Sequence, residues 1–325
     1  MTYMTTAQPR ILTGLQPSGT LHIGNYFGSL APLVRLAKEH DDVFLMVADY
    51  HALTSLKDGA ALRENIYNIV RDYLAAGADP SRMTLFRQSD NPDHTELAWI
   101  LNCQVTVPFL MQAHSYKDKV AKGLEANAGL FTYPMLMAAD IVLYNTDLVP
   151  VGEDQRQHLE YTREAVVKFN NAYGADVLKE PKEMIIESVG VVPGTDGQKM
   201  SKSYKNTIPL FGTTEEIQKA VLGIVTDSSG ERPENVYAIH KVLYEQTGRD
   251  MSELDALYNA NTGKYKILKD ALAADLEAFV SPMREKRNSI TDAQVKEVLA
   301  AGVEKARTVS SKTLARVRDA VGISL

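Results

Sequence analysis

Two stretches far apart in the chain carry residue types suited to phosphate chemistry. The first is Gly14-Leu15-Gln16-Pro17-Ser18-Gly19-Thr20-Leu21-His22-Ile23-Gly24-Asn25, which reads as a turn from an opening strand into a helix. A helix N-terminus offers free backbone N–H groups and the positive end of its dipole, a setting that favours phosphate. Gly14 and Gly19 let backbone come close to a ligand. His22, read as part of the first helical turn, can donate a hydrogen bond to a phosphoryl oxygen as charge shifts. The second stretch is Lys199-Met200-Ser201-Lys202-Ser203, two ammonium groups beside hydroxyls on a loop flanked by Gly194 and Gly197. Lysine is a mobile point charge that suits a migrating polyphosphate, and the glycines let the loop swing closed. Each stretch alone also admits a plainer reading: a strand–turn–helix capped by Thr20, and a solvated surface loop. The first is not a Walker loop, because the Gly-Lys-Ser/Thr ending is missing.

Between them lies Asp140, set among Met137, Ala138, Ala139, Ile141 and Val142 and therefore expected to be buried. A buried carboxylate without a partner is costly. It is either a structural aspartate satisfied by a neighbouring backbone amide or an acceptor for a ligand that can only donate. The remaining histidines, His40, His94, His114, His158 and His240, have no zinc-ligand spacing and read as surface or core. No Ser-His-Asp arrangement is suggested.

The elements that must position these groups alternate through the first half. A short strand at residues 10–13 stops at Gly14, and helical spacing runs from Leu21 to Ala37. Residues 43–48 form a near-continuous apolar run, the mark of a strand covered on both faces. A helical segment at 60–76, a strand at 83–86, a helix near 95–102, a helical region at 108–146, a short strand at 148–151 and a helix at 153–171 follow. Alternation of this kind predicts a parallel sheet wrapped by helices, with ligands beyond the carboxyl ends of the strands. Past Thr213 strand-like runs stop and helical spacing with mixed charge takes over, so a boundary is placed near 206.

Length and composition narrow the class. At 325 residues, 45% hydrophobic and 23% charged, the chain is an ordinary core-forming protein with room for two domains. A net charge of -6 means that any RNA contact must come from a local patch. Between Arg284 and Arg318 nine cations are diluted by four carboxylates, a modest basic face. The single cysteine, Cys103, excludes an intramolecular disulfide and multi-cysteine metal centres, and is expected to be a small buried packing residue. The first residues lack a basic segment followed by an apolar one, and no apolar run approaches the ~18 residues of a membrane span. The expected location is the cytoplasm.

Taken together, His22-Ile23-Gly24-Asn25 and the unbroken Lys199 to Ser203 resemble the HIGH and KMSKS signatures of class I aminoacyl-tRNA synthetases. The last position of the first motif is Asn25 rather than histidine; asparagine still donates a hydrogen bond. Further stretches narrow the likeness: Gly14 to Gly19 with Gly24-Asn25-Tyr26, residues 49–54 (DYHALT), 133–141 (YPMLMAADI) and 149–155 (VPVGEDQ). From about residue 10 to 210 the chain resembles the bacterial-type tryptophanyl-tRNA synthetases. Asp140 and the 152–155 run argue against the tyrosyl family. Tyr204-Lys205-Asn206 departs from the pattern, since many members of the family have an aspartate directly after the lysine loop.

The resemblance implies an α/β fold: a Rossmann-like parallel sheet with flanking helices at 1–205, which binds ATP and tryptophan, and an all-helical anticodon-binding domain at 206–325 whose last helices pack back on the first. It implies catalytic roles for His22, Asn25, Lys199 and Lys202. ATP contacts are implied for Gln16, Pro17, Ser18, Gly24, Asn25, Gly152, Glu153, Asp154, Val189, Lys199, Met200, Ser201, Lys202 and Ser203. On the tryptophan side it implies Asp140 as acceptor for the indole N–H, Tyr133 and Gln155 at the ammonium and carboxylate, Met137, Val149 and Val151 as pocket walls, and His51 at the pocket edge. ATP with Mg2+ is the implied co-substrate, with no structural metal; L-tryptophan, tRNA(Trp) and a second copy of the chain are the implied partners, with no membrane.

Overall fold

In a computed structural model of the chain, residues 8–113, 116–117, 121, 126–151, 156–174, 176–185, 192–226 and 232–324 are described. Five strands form one sheet: β1 (Ile11–Leu15), β2 (Val43–Val47), β3 (Met83–Arg87), β4 (Leu148–Val151) and β5 (Lys182–Ile185). Their spatial order is β3-β2-β1-β4-β5, and every pairing is parallel. All five residues of β2 are buried, as a central strand covered on both faces requires. The order reverses direction between β1 and β4. Those two strands are in register only at Ile11 and Leu148, so past that pair they no longer form a ladder. A crevice at such a switch point is where ligands bind in open parallel sheets.

The first helix departs from simple helical spacing. It begins with one turn, Ile23–Asn25, passes through a π turn, Tyr26–Leu30, and only then becomes the α-helix Ala31–Glu39. π turns are local distortions that often accompany functional sites. Tyr26 and Phe27 pack on Phe279 of the helix Tyr265–Ser289, with ring centroids 5.4 and 5.5 Å apart. Among the described residues beyond β5 the elements are helical: Thr214–Leu222, Glu234–Thr247, Met251–Ala260, Tyr265–Ser289 and Asp292–Val321, with a 3-10 turn at Lys202–Tyr204.

Hydrophobic packing does not break near 206. One apolar cluster runs from Ile11, Val43 and Leu85 through Met200, Ile208 and Leu210 to Ile217, Leu243 and Leu276. A second, on the other sheet face, joins Leu12, Phe44 and Phe86 to the helices Asp93–Asn102, Ala128–Val142 and Arg156–Tyr173. The C-terminal helix Asp292–Val321 takes part in both, with Val295 and Leu299 in the first and Val303 and Ala306 in the second. It lies along the edge strand β3, which removes an open sheet edge. The approach is so close that a Cβ on Gly302 would lie 1.8 Å from the Leu85 carbonyl oxygen. Cys103 is a correction to the expected buried packer: it is exposed. It follows the last residue of the helix Asp93–Asn102, whose buried stripe is His94, Leu97, Ala98 and Leu101, and position 103 falls off that stripe.

Gly302→Ala is expected to lower stability by about 3 kcal/mol or more, because backbone rather than a pliable side chain stands in the way. Gly28→Ala, where a Cβ would meet nothing within 4 Å, should be neutral or mildly stabilising. Urea unfolding of the two variants checks this.

Candidate active site

The carboxyl ends of β1, β2 and β3 deliver the site. β1 leads into the Gln16–His22 turn, β2 into the short helix Asp49–Ala52 with His51, and β3 into Gln88. Two groups of residues result, one suited to phosphate and one built around Asp140.

At the phosphate end the helix cap is His22, not Thr20. His22 Nδ1 accepts from the Asn25 backbone N–H at 3.2 Å, and Asn25 Oδ1 accepts from the His22 backbone N–H at 3.1 Å, a reciprocal capping box. This fixes both side chains. With Nδ1 used as an acceptor, the neutral ring carries its proton on Nε2, and Asn25 keeps its Nδ2 amide as a donor. Burial first, and then the charge of Lys202, lower the His22 pKa to about 4. The imidazole is therefore a neutral donor at pH 7. A Cβ on Gly24 would lie 3.0 Å from His22 Nδ1 and 3.3 Å from Met200 Cβ, so only glycine fits easily between the two motifs.

The lysine loop lies against this turn. Lys202 Nζ donates to the Ser18 carbonyl at 2.9 Å across 184 positions of sequence. Just past the loop the chain pairs with the turn, Ile23 N–H to the Ile208 carbonyl and Leu210 N–H to the Leu21 carbonyl, both at 3.0 Å. Met200 is buried, while Lys199, Lys202 and Ser203 are exposed and Ser201 is half-buried. Ser201 Oγ and Ser203 Oγ are 2.8 Å apart. Burial lowers the Lys202 pKa, opposed by the charge of Asp72.

Asn206 holds the loop from within, a role that sequence reasoning missed. It is buried; its Oδ1 accepts from Ser201 N–H at 2.7 Å, and its Nδ2 donates to Asp196 Oδ1 at 2.7 Å and to the Lys199 carbonyl at 3.1 Å. A Cβ on Gly194 would lie 2.3 Å from Asn206 Nδ2. Here an aspartate would set a carboxylate against Asp196, so the amide is what this loop requires.

At the other end Asp140 is 2% exposed. Its partners are side chains, not a backbone amide. Oδ1 accepts from Gln88 Nε2 at 2.8 Å and His94 Nδ1 at 2.7 Å, and Oδ2 from His51 Nε2 at 2.7 Å. Burial alone would raise its pKa; the hydrogen bonds from His51 and His94 outweigh that and bring it to about 2. The protons can be ordered along the whole network. With His94 neutral and donating through Nδ1, its Nε2 accepts from the Tyr144 hydroxyl at 2.7 Å. Tyr144 accepts from Asn91 Nδ2 at 3.1 Å; Asn91 Nδ2 also donates to Ser310 Oγ at 3.0 Å, and Ser310 donates to Asp93 at 2.7 Å. The carboxylate is thereby connected to the C-terminal helix. His94, Gln88 and Asn91 carried no signal in the sequence, because nothing local marks residues whose partner lies about 50 positions away.

Tyr133, Met137 and Asp140 share one face of the helix Ala128–Val142, at spacings of four and three. The His51 ring meets Tyr133 edge-on at 6.2 Å, and the Tyr133 hydroxyl bonds His158 Nε2. Met137 is half-buried and packs on the second apolar cluster, and Val149 lies within it. The structure therefore brings His51, Tyr133, Met137 and Asp140 together, and separately His22, Asn25, Ser18 and Lys202. Gln16 is exposed and Pro17 buried on the same turn. Gly152, Glu153, Asp154, Gln155 and Val189 lie outside the described residues, as does the side chain of Val151.

The family described as tRNA synthetases class I (W and Y) matches residues 4–300. The tryptophan–tRNA ligase of Fusobacterium nucleatum is 46% identical over 324 residues, covering 97% of this chain and 98% of its own. Among solved structures, the tryptophanyl-tRNA synthetase of Campylobacter jejuni complexed with ADP and tryptophan is 41% identical. It covers 96% of this chain and 99% of its own with a TM-score of 0.89. A tyrosyl-tRNA synthetase from Archaeoglobus fulgidus, 21% identical with a TM-score of 0.67, shares the fold alone. With both signature motifs in contact and near full-length identity to these ligases, the chain belongs to the class I tRNA synthetases of the tryptophan and tyrosine group, and within it to the bacterial tryptophan–tRNA ligases.

Proposed function

We propose that this chain attaches L-tryptophan to tRNA(Trp) in an ATP-dependent reaction that passes through tryptophanyl-adenylate and releases pyrophosphate and AMP. The observation that carries the reading is the meeting of the two motifs, Lys202 Nζ on the Ser18 carbonyl beside the capped His22. The tryptophan carboxylate attacks the α-phosphorus of Mg-ATP in line, and the bond to pyrophosphate breaks. No protein nucleophile is needed. Lys199 and Lys202 follow the leaving pyrophosphate, while His22 Nε2–H and the Asn25 amide donate to the phosphoryl oxygens. Gln16, Pro17, Ser18 and Gly24 line the nucleotide on one side, with Gly152, Glu153, Asp154 and Val189 on the ribose and adenine side. Met200, Ser201 and Ser203 complete the loop.

Asp140 selects the amino acid. A carboxylate offers about four lone-pair sites. Oδ1 has two partners and Oδ2 one, so Oδ2 keeps capacity for the indole N–H. A site built to bond a polar group rejects analogues that lack it by roughly 10⁴–10⁵. Tyr133 and Gln155 hold the ammonium and carboxylate; Met137, Val149, Val151 and His51 enclose the ring. The acyl group then passes to the 3′ end of the tRNA, whose anticodon is received by the helical region 206–325. The reaction belongs in the cytoplasm; among the described residues no helix is long and apolar enough to cross a membrane.

Two copies of the chain form the working unit in this reading. The support for it is Trp99, the chain's only tryptophan, 71% exposed, with Val107 and Met111 also exposed. Large exposed apolar groups favour an association surface.

ATP–pyrophosphate exchange with each of the twenty amino acids should proceed with tryptophan alone; exchange with tyrosine, or with none, contradicts the proposal. Lys202→Ala should lower the exchange rate about 10²–10³-fold with tryptophan affinity nearly kept. Sedimentation should give a dimer that Trp99→Asp converts to monomer; an unchanged dimer in that variant rejects this face.

A further inference from the structure

The hydrogen bonds that link Asp140 to the C-terminal helix each have one direction, and together they single out Asn91. The chain of bonds ends on two carboxylates, Asp140 and Asp93, and a carboxylate only accepts. Between them lie Ser310, Asn91, Tyr144 and His94, each at most 1% exposed. A hydroxyl or a neutral imidazole has one proton to give, so it passes the direction on unchanged. A chain closed at both ends by acceptors therefore needs one group with two protons, where the direction turns round. Asn91 Nδ2 is that group, donating to the Tyr144 hydroxyl at 3.1 Å and to Ser310 Oγ at 3.0 Å. On one side Ser310 donates to Asp93 at 2.7 Å. On the other Tyr144 donates to His94 Nε2, and His94 Nδ1 to Asp140 Oδ1, both at 2.7 Å.

The amide cannot be turned over. Its oxygen accepts from the Asp93 backbone N–H at 3.3 Å, and Ser310 has given its only proton to Asp93, so it offers Asn91 lone pairs alone. The rings are held as firmly as the protons. Tyr144 packs on Phe44 and on Phe86 with centroids 5.3 Å apart in each pair, and Phe86 stacks on His94 at 6.2 Å. Burial pushes the Tyr144 phenol well above its usual range despite the hydrogen bond from Asn91, so it remains a donor.

We propose that Asn91, anchored by Ser310 of the C-terminal helix, is a positioning residue for the selection of tryptophan. It makes Tyr144 donate to His94, which fixes the tautomer and orientation of that ring, and the ring in turn holds Asp140 Oδ1 so that Oδ2 faces the substrate. Without the Asn91 donor the Tyr144 proton is free to turn from His94, and Asp140 loses a fixed partner. The anchor lies 219 positions from Asn91, so the last helix takes part in the choice of amino acid. The proposal rests on the reading of Asp140 as acceptor for the indole N–H.

The test compares kcat/KM in pyrophosphate exchange for tryptophan and for β-(3-benzothienyl)alanine, an analogue with no N–H to donate, using the full-length protein. A change of pocket shape or of fold acts on both amino acids; a weakened acceptor acts on tryptophan alone. Tyr144→Phe and Asn91→Leu should each lower the ratio of the two values about tenfold, with the value for the analogue kept within about twofold, as for loss of a group that orients a binding side chain. Ser310→Ala should move the ratio in the same direction, and with Tyr144→Phe it decides the matter if Asn91→Leu does not fold. A wild type that discriminates while the variants keep its ratio overturns the proposal and leaves the role of Asp140 standing. So does a parallel fall for both amino acids, which would make these residues structural. Equal use of the two by the wild type overturns the reading of Asp140, and the proposal with it.

Discussion

A carboxylate held ionised in an apolar interior is the constraint on which the rest of this molecule depends. Removing Asp140 from water without partners would cost several kcal/mol. Three donors from three different segments offset that cost: Gln88 after β3, His94 on the next helix and His51 after β2. Each donor is in place only because the sheet sets the strand ends side by side. The carboxylate and the sheet therefore specify one another. A substitution such as Asp140→Ala strands three buried donors as well as removing an acceptor, so its effects on binding and on folding arrive together.

The phosphate end is assembled on a different principle. Its groups are mostly exposed, and what fixes them is backbone. His22 and Asn25 lock each other in a capping box, and the segment after the lysine loop is hydrogen-bonded to the same turn. Lys199 and Lys202 are exposed on that loop, and Lys202 is held on the Ser18 carbonyl. Near this end the Arg287–Asp72 pair ties the helix Tyr265–Ser289 to the helix Gly59–Ala75. Asp72 Oδ2 nonetheless has no hydrogen bond, and burial raises the Asp72 pKa despite the arginine. The helical region is thus joined to the catalytic layer by apolar packing, by this pair and by the Ser310 end of the Asp140 network.

Much of this was legible in the residue order, for physical reasons. A central parallel strand is buried on both faces, so Val43–Val47 reads as an unbroken apolar run. A phosphate-binding turn needs small residues, and two lysines on a glycine-flanked loop are conspicuous. Strand order was not legible, since β1 lies between β2 and β4 through pairings more than 100 positions apart on one side. Nor were the partners of Asp140: a histidine that donates to a distant carboxylate looks like any other. Gly302 would be judged a poor helix residue until the Leu85 carbonyl is seen against it, and nothing in the residue order sets Asn206 apart until Asp196 and Lys199 are seen on its amide.

In the proposed function Asp140 Oδ2 accepts the indole N–H. The measurement that isolates it is pyrophosphate exchange with β-(3-benzothienyl)alanine, in which sulfur replaces the N–H at nearly constant shape. The expected kcat/KM is lower than that for tryptophan by roughly 10⁴-fold, with ATP affinity unchanged. Exchange within about tenfold of tryptophan would mean that the pocket reads the ring's shape alone, and that Asp140 serves only the histidines around it.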